Sequence, residues 1–146
     1  MARKRPVIQE VSYGLYERFD AKGKGLPKLL AFTTAVPAVM GQEFGFIIKI
    51  KHGRGLRIDF EIDHPQVPDQ DGKVMEPFRG EVFVRGSDFD VFLGDALWEP
   101  IESMLGEWTL STKLDGKEVN RRTFEVVALQ DSTSDRLSEW DDLPMQ

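Results

Sequence analysis

The sequence predicts an all-β fold, an antiparallel β-sandwich of roughly seven or more short strands. Three observations carry this. Apolar and polar residues alternate in run after run, at the period of two that sends successive side chains to opposite faces of a sheet. Turn residues interrupt these runs every ~8–12 residues. No stretch keeps helical spacing over ~10 residues or more. The pattern is clearest in residues 105–129, LGEWTLSTKLDGKEVNRRTFEVVAL. Trp108, Leu110, Thr112 and Leu114 fall on one face, and Phe124, Val126 and Ala128 share a face of the following run. Asp115-Gly116 lies between them, and a tight hairpin turn needs positive φ where Asp and Gly tolerate it. Trp108 is the expected core anchor.

The remaining elements follow in order. Residues 7–17 form a first strand, with Val7, Gln9, Val11, Tyr13 and Leu15 on one face and Ile8, Glu10, Ser12, Gly14 and Tyr16 on the other. Gly14 inside it predicts a bulge or a close backbone approach. Residues 21–27 are a loop by composition, and 29–36 a second strand ended by Pro37 and Gly41. In 44–51, Phe44, Phe46, Ile48 and Ile50 face inward while Lys49 and Lys51 face solvent. After the turn 52–55, residues 56–62 give the cleanest alternation, Leu56, Ile58, Phe60 and Ile62 against Arg57, Asp59 and Glu61. Register permitting, Lys49 and Lys51 sit across the sheet from those carboxylates. Residues 64–77 hold three prolines and read as a loop. Short strands are expected at 81–85 and 89–93, and one short helical turn at 100–105. A buried strand tryptophan between two sheets packed ~10 Å apart points to an immunoglobulin-like (fibronectin-like) arrangement.

Composition bounds the function. The 146 residues fit one domain, expected as a basic segment 1–6, a sandwich 7–129 and an acidic tail 130–146. A net charge of −6 argues against a general nucleic-acid binder, which needs a clustered cationic surface. The absence of cysteine removes disulfides, thiolate metal sites and cysteine nucleophiles. With no signal-like apolar run at the start and no apolar stretch near ~20 residues, the expectation is a cytoplasmic protein without a membrane partner.

Several fragments together resemble a bacterial domain-of-unknown-function family, the one numbered 3859. They are Ser12-Tyr-Gly-Leu-Tyr-Glu17, residues 33–41 with Phe44-Gly45, His64-Pro65 with Gly72-Lys73, Trp98-Glu99, Gly106-Glu-Trp108, and the Asp-Gly-Lys hairpin running into Phe124-Glu-Val126. The resemblance spans about residues 7–127 and leaves out the basic start and the tail. It implies a β-sandwich, establishes no activity and hands over no catalytic residues.

The candidate sites each have a plainer reading. Asp59, Glu61 and Asp63 beside His64 are suitable metal ligands by type. Spaced ~7 Å apart along one strand, they do not converge on an ion unaided, and a solvated strand face explains them. His64 precedes Pro65 and is held extended where a strand enters a loop, a common place for sites. It serves equally well to fix that loop through its own hydrogen bonds. Residues 51–55 offer backbone N–H groups to an anion, or form an ordinary hairpin turn. Ser12, Ser87 and Ser103 lack a nucleophile-elbow context. Trp98, Tyr13 and Tyr16 are either stacking platforms or packing residues. In the tail, Leu137, Trp140 and Leu143 are three residues apart and make one apolar edge if helical. The function expected is therefore a binding or interaction module with no catalytic activity and no cofactor, engaging a protein partner or a second copy of itself. The alternatives are a small-ligand or carbohydrate binder using the exposed aromatics, and a metal-dependent site near His64.

Overall fold

In the computed structural model, which describes residues 5–18 and 25–128, the alternating runs become nine strands. These are β1 (Val7–Tyr16), β2 (Leu29–Ala31), β3 (Ala35–Pro37), β4 (Glu43–Lys51), β5 (Arg57–Asp63), β6 (Phe78–Phe83), β7 (Asp88–Ala96), β8 (Gly106–Leu114) and β9 (Lys117–Val127). One 3-10 turn, Ile101–Met104, sits where a short helical turn is expected. The first sheet runs β2-β1-β4-β7 and the second β3-β9-β8-β5-β6. Pairing is antiparallel except for β3 against β9. This is an all-β, immunoglobulin-like sandwich. No helix among the described residues is long and apolar enough to cross a membrane.

The alternation decides what fills the space between the sheets. β4 contributes Phe44, Phe46, Ile48 and Ile50, all fully buried, and the second sheet answers with Ile58, Ile62, Trp108, Leu110 and Phe124. Trp108 spans the interface. Its ring meets Phe44 edge-on at 5.4 Å between centroids. Its indole N–H donates to the Met104 carbonyl at 2.8 Å, so the one polar atom of this buried side chain is satisfied. The hairpin forms as expected, with Asp115 at φ 52 and Gly116 at φ 86. A bulge beyond it, at Thr112/Lys113, leaves Val119 as the extra residue, packed against the core.

Several local expectations change. The alternation along β1 switches phase at a bulge between Glu10 and Ser12, which leaves Val11 extra. Ile8 and Glu10 lie opposite Ile50 and Ile48, while beyond the bulge Tyr13 and Leu15 lie opposite Phe46 and Phe44, so these four share the inner face. Gly14 is the close approach: at φ 137, a Cβ there would come within 1.9 Å of the Ala31 carbonyl oxygen. Residues 29–36 are not one strand. β2 pairs with β1, and the chain then crosses to the other sheet, where β3 pairs with β9. An Ala35 N–H bond to the Thr33 hydroxyl turns the chain at that crossing. Residues 52–55 and 84–87 likewise carry the chain between sheets rather than closing hairpins. The lysines of β4 consequently never meet the carboxylates of β5. Lys49 pairs with Asp90 on β7 at 3.2 Å, and Asp59 and Glu61 are neutralised by arginines instead.

Candidate functional site

His64 lies one residue past the end of β5, and the same alternation that turns Asp63 outward turns its ring inward. The imidazole lies 4.7 Å from the Phe78 ring and 5.8 Å from Trp108, centroid to centroid. Trp98 completes the group at 6.1 Å from Phe78 and 6.2 Å from Trp108. The ring nitrogens meet carbonyl oxygens, Nδ1 with Pro65 at 2.7 Å and Nε2 with Glu76 at 2.9 Å. These two contacts tie both ends of loop 64–77 to one side chain, and fully buried Val67 plugs the loop from beneath. Trp98 is half-buried and spends its ring on packing.

Asp95 adds an acid to this end. Phe89, Val91 and Leu93 alternate inward along β7, and the same period brings Asp95 onto the inner face opposite Phe44. Burial pushes its carboxyl up from 3.8 to about 6. The Ala96 N–H, which donates to it at 2.8 Å, and the charge of His64 pull it down, while Glu43 pushes it up.

Among the described residues the metal alternative finds no built site. Both His64 nitrogens face carbonyl oxygens, and Asp63 Oδ1 accepts the His64 backbone N–H. Asp59 is paired with Arg57 at 3.1 Å and Glu61 with Arg79 at 2.8 Å, on the outer face. Among the described residues, no three His, Asp or Glu side chains are grouped to hold an ion.

On the β1 side the sequence-selected tyrosines separate. Tyr16 is 1% exposed and presents no ring to a ligand. Its hydroxyl reaches back along the strand to Ser12 Oγ at 2.9 Å, and its ring meets Phe92 edge-on. Tyr13 is half-buried, with the Arg122 guanidinium 3.7 Å over its face and Phe32 against its edge at 5.4 Å. Glu10, facing inward from β1, accepts hydrogen bonds from Arg122 and from Asn120 Nδ2 on β9. That bond to Glu10 raises the Arg122 guanidinium above its ordinary value. The cluster staples the two sheets along their open side. Leu137, Trp140 and Leu143 lie outside the described residues.

The family model described as "Domain of unknown function (DUF3859)" matches residues 4–126. The chain belongs to that family. Among solved structures it is similar to an immunoglobulin-like protein from Pseudomonas aeruginosa, with a TM-score of 0.71 at 22% identity over 87% of this chain and 100% of that one. An alkylpurine DNA glycosylase from Pseudomonas fluorescens, bound to DNA containing an abasic site analog, matches 64% of this chain and 27% of its own length. Its TM-score of 0.41 at 12% identity carries no argument. No curated protein matches the sequence.

Three features escaped the reading of the sequence. Phe32 falls within residues 29–36, expected as one strand, and lies just beyond β2 at 62% exposed. Glu10 is expected only as one member of a strand face with Ile8, Ser12, Gly14 and Tyr16, and its ion pair with Arg122 across the sheets has no local signal. Asp95 had a usable signal, since period two from Phe89 brings an acid onto the inner face.

Proposed function

We propose that this domain is a cytoplasmic interaction module with no chemistry of its own, which docks a protein partner on its β1–β2 side. One observation carries the reading. Val7, Val11, Leu26, Leu30 and Phe32 are five of the eleven large apolar side chains exposed among the described residues, and all lie on β1, β2 or the chain flanking β2. Single exposed apolar residues need no explanation, whereas Leu26, Leu30 and Phe32 fall within seven residues of chain around β2 and together mark a contact surface. Phe32, at 62% exposed, is the one aromatic of these five.

The manner of docking follows from the edge. β2 pairs with Leu15 and Tyr16, and among the described residues β1 from Val7 to Gly14 has no strand neighbour on that side. A bulge and an inward-turned charge are devices that discourage a second strand from pairing along an edge, and Val11 and Glu10 supply both. The contact is therefore made through side chains, with Phe32 and Leu30 as anchors, rather than by strand addition. Absence of chemistry is supported by the engaged state of the polar groups at the His64 end and on the outer face of β5.

The test is affinity capture from the source cell with three baits: the native chain, Phe32→Asp with Leu30→Asp, and Phe83→Asp. Phe83 is similarly exposed, at 56%, on β6 at the opposite side of the sandwich. The reading requires a partner held by the native chain and Phe83→Asp but lost from the double variant. Equal capture by all three would sink it.

A further inference from the structure

The end of the sandwich remote from His64 holds a cleft of about 600 Å3. Its floor is apolar: Ile8 from β1, Leu56 just before β5, and Leu114 and Val119 from the β8–β9 hairpin. Arg5, His52 and Lys117 are on the rim, and Asp115 is the one carboxylate among the described lining residues.

Arg5 and Lys117 are the permanent cations of that rim. Arg57, Arg79, Arg121 and Arg122 each have a carboxylate partner. Among the described residues neither Arg5 nor Lys117 has one within ion-pair distance. Pockets of roughly 300–1,000 Å3 with apolar walls and a few placed polar groups are the usual form of small-ligand sites. We propose that this cleft binds a small amphipathic carboxylate, its apolar body on Ile8, Leu56, Leu114 and Val119 and its head between Arg5 and Lys117. Ile8 stands at the start of β1, whereas Phe32 packs on Tyr13 farther along it, so the cleft stands or falls separately from a contact through Phe32.

Isothermal titration with hexanoate, octanoate and decanoate, each below its micellar concentration, tests the proposal. Saturable one-to-one binding is expected, tightening about fourfold for each methylene added. Decanoic acid methyl ester and decyltrimethylammonium should bind roughly tenfold or more weakly than decanoate, since they lack the charge that the rim complements. Arg5→Glu with Lys117→Glu, both surface changes, should weaken decanoate by a similar factor while sparing the fold. Val119→Trp should abolish binding by filling the floor, with near-UV circular dichroism confirming that it folds. No saturable binding of decanoate, equal binding of the cationic analogue, or unchanged affinity in the rim variant would each overturn the assignment.

Discussion

Replacing Asp95 with asparagine tests whether the acid at the His64 end is held at a cost. Asn keeps the acceptor for the Ala96 N–H, which donates to Asp95 Oδ1 at 2.8 Å, and removes only the charge. In the folded chain the carboxyl titrates at about 6, against 3.8 for the free group. Between those values the folded state binds more protons than the unfolded state, so the stability contributed by the protonated acid is complete below pH ~4 and lost as pH rises through about 6. At ~1.4 kcal/mol per unit the loss amounts to at most about 3 kcal/mol at neutral pH. The titratable groups facing Asp95 act in opposite senses, His64 lowering its carboxyl and Glu43 raising it. The assay is urea unfolding of the native chain and Asp95→Asn at intervals from pH 4 to 8, followed by tryptophan fluorescence. The difference between the two curves, rather than either curve alone, isolates Asp95 from the other carboxylates. Asp95→Asn should gain on the native chain by roughly 2–3 kcal/mol between pH 4 and pH 7, and the gain should level off above that. A difference independent of pH would refute the claim that burial raises this carboxyl.

Three further outcomes follow from the packing. Trp108→Ala should cost about 3–5 kcal/mol in chemical unfolding, since it opens a cavity between the sheets and orphans the Met104 carbonyl. Glu10→Ala and Arg122→Ala should each cost about 1–3 kcal/mol, and the double variant should cost less than their sum, because each single change strands the other charge. Gly14→Ala should lower the thermal midpoint by an amount equivalent to about 2 kcal/mol or more, because its Cβ would collide with the Ala31 carbonyl oxygen at 1.9 Å. A melt unchanged by that substitution would show that β2 does not lie where the structure has it.

Alternation is legible in a sequence because it is a local property. It marked the inner residues of β4, β5 and β8, and Asp115-Gly116 fixed the β8–β9 hairpin. In β9 it marked Phe124 and Val126 but not Arg122, which lies opposite Leu110 and pairs with Glu10. It says nothing about which strand lies beside which. For that reason Lys49 was matched with the carboxylates of β5, when its partner is Asp90 on β7 in the other sheet. It also fails wherever an extra residue shifts the phase, as at Val11, and wherever a run changes sheets, as at residues 32–34. The same limits apply to the sites. His64 and Trp98 were each singled out, but only the fold shows that they share one aromatic group with Phe78 and Trp108. Phe32 became visible as a surface residue only once the crossing was known. The tail residues Leu137, Trp140 and Leu143 stand as an expectation from sequence, outside the described residues.

The central claim is that the β1–β2 side meets a protein partner through Phe32. A photo-reactive phenylalanine analogue placed at position 32, and in a second version at position 83, probes it in the source cell without disturbing either surface. Illumination should give a discrete adduct of higher mass from position 32 and none from position 83. Adducts from both positions alike, or from neither, would contradict the claim.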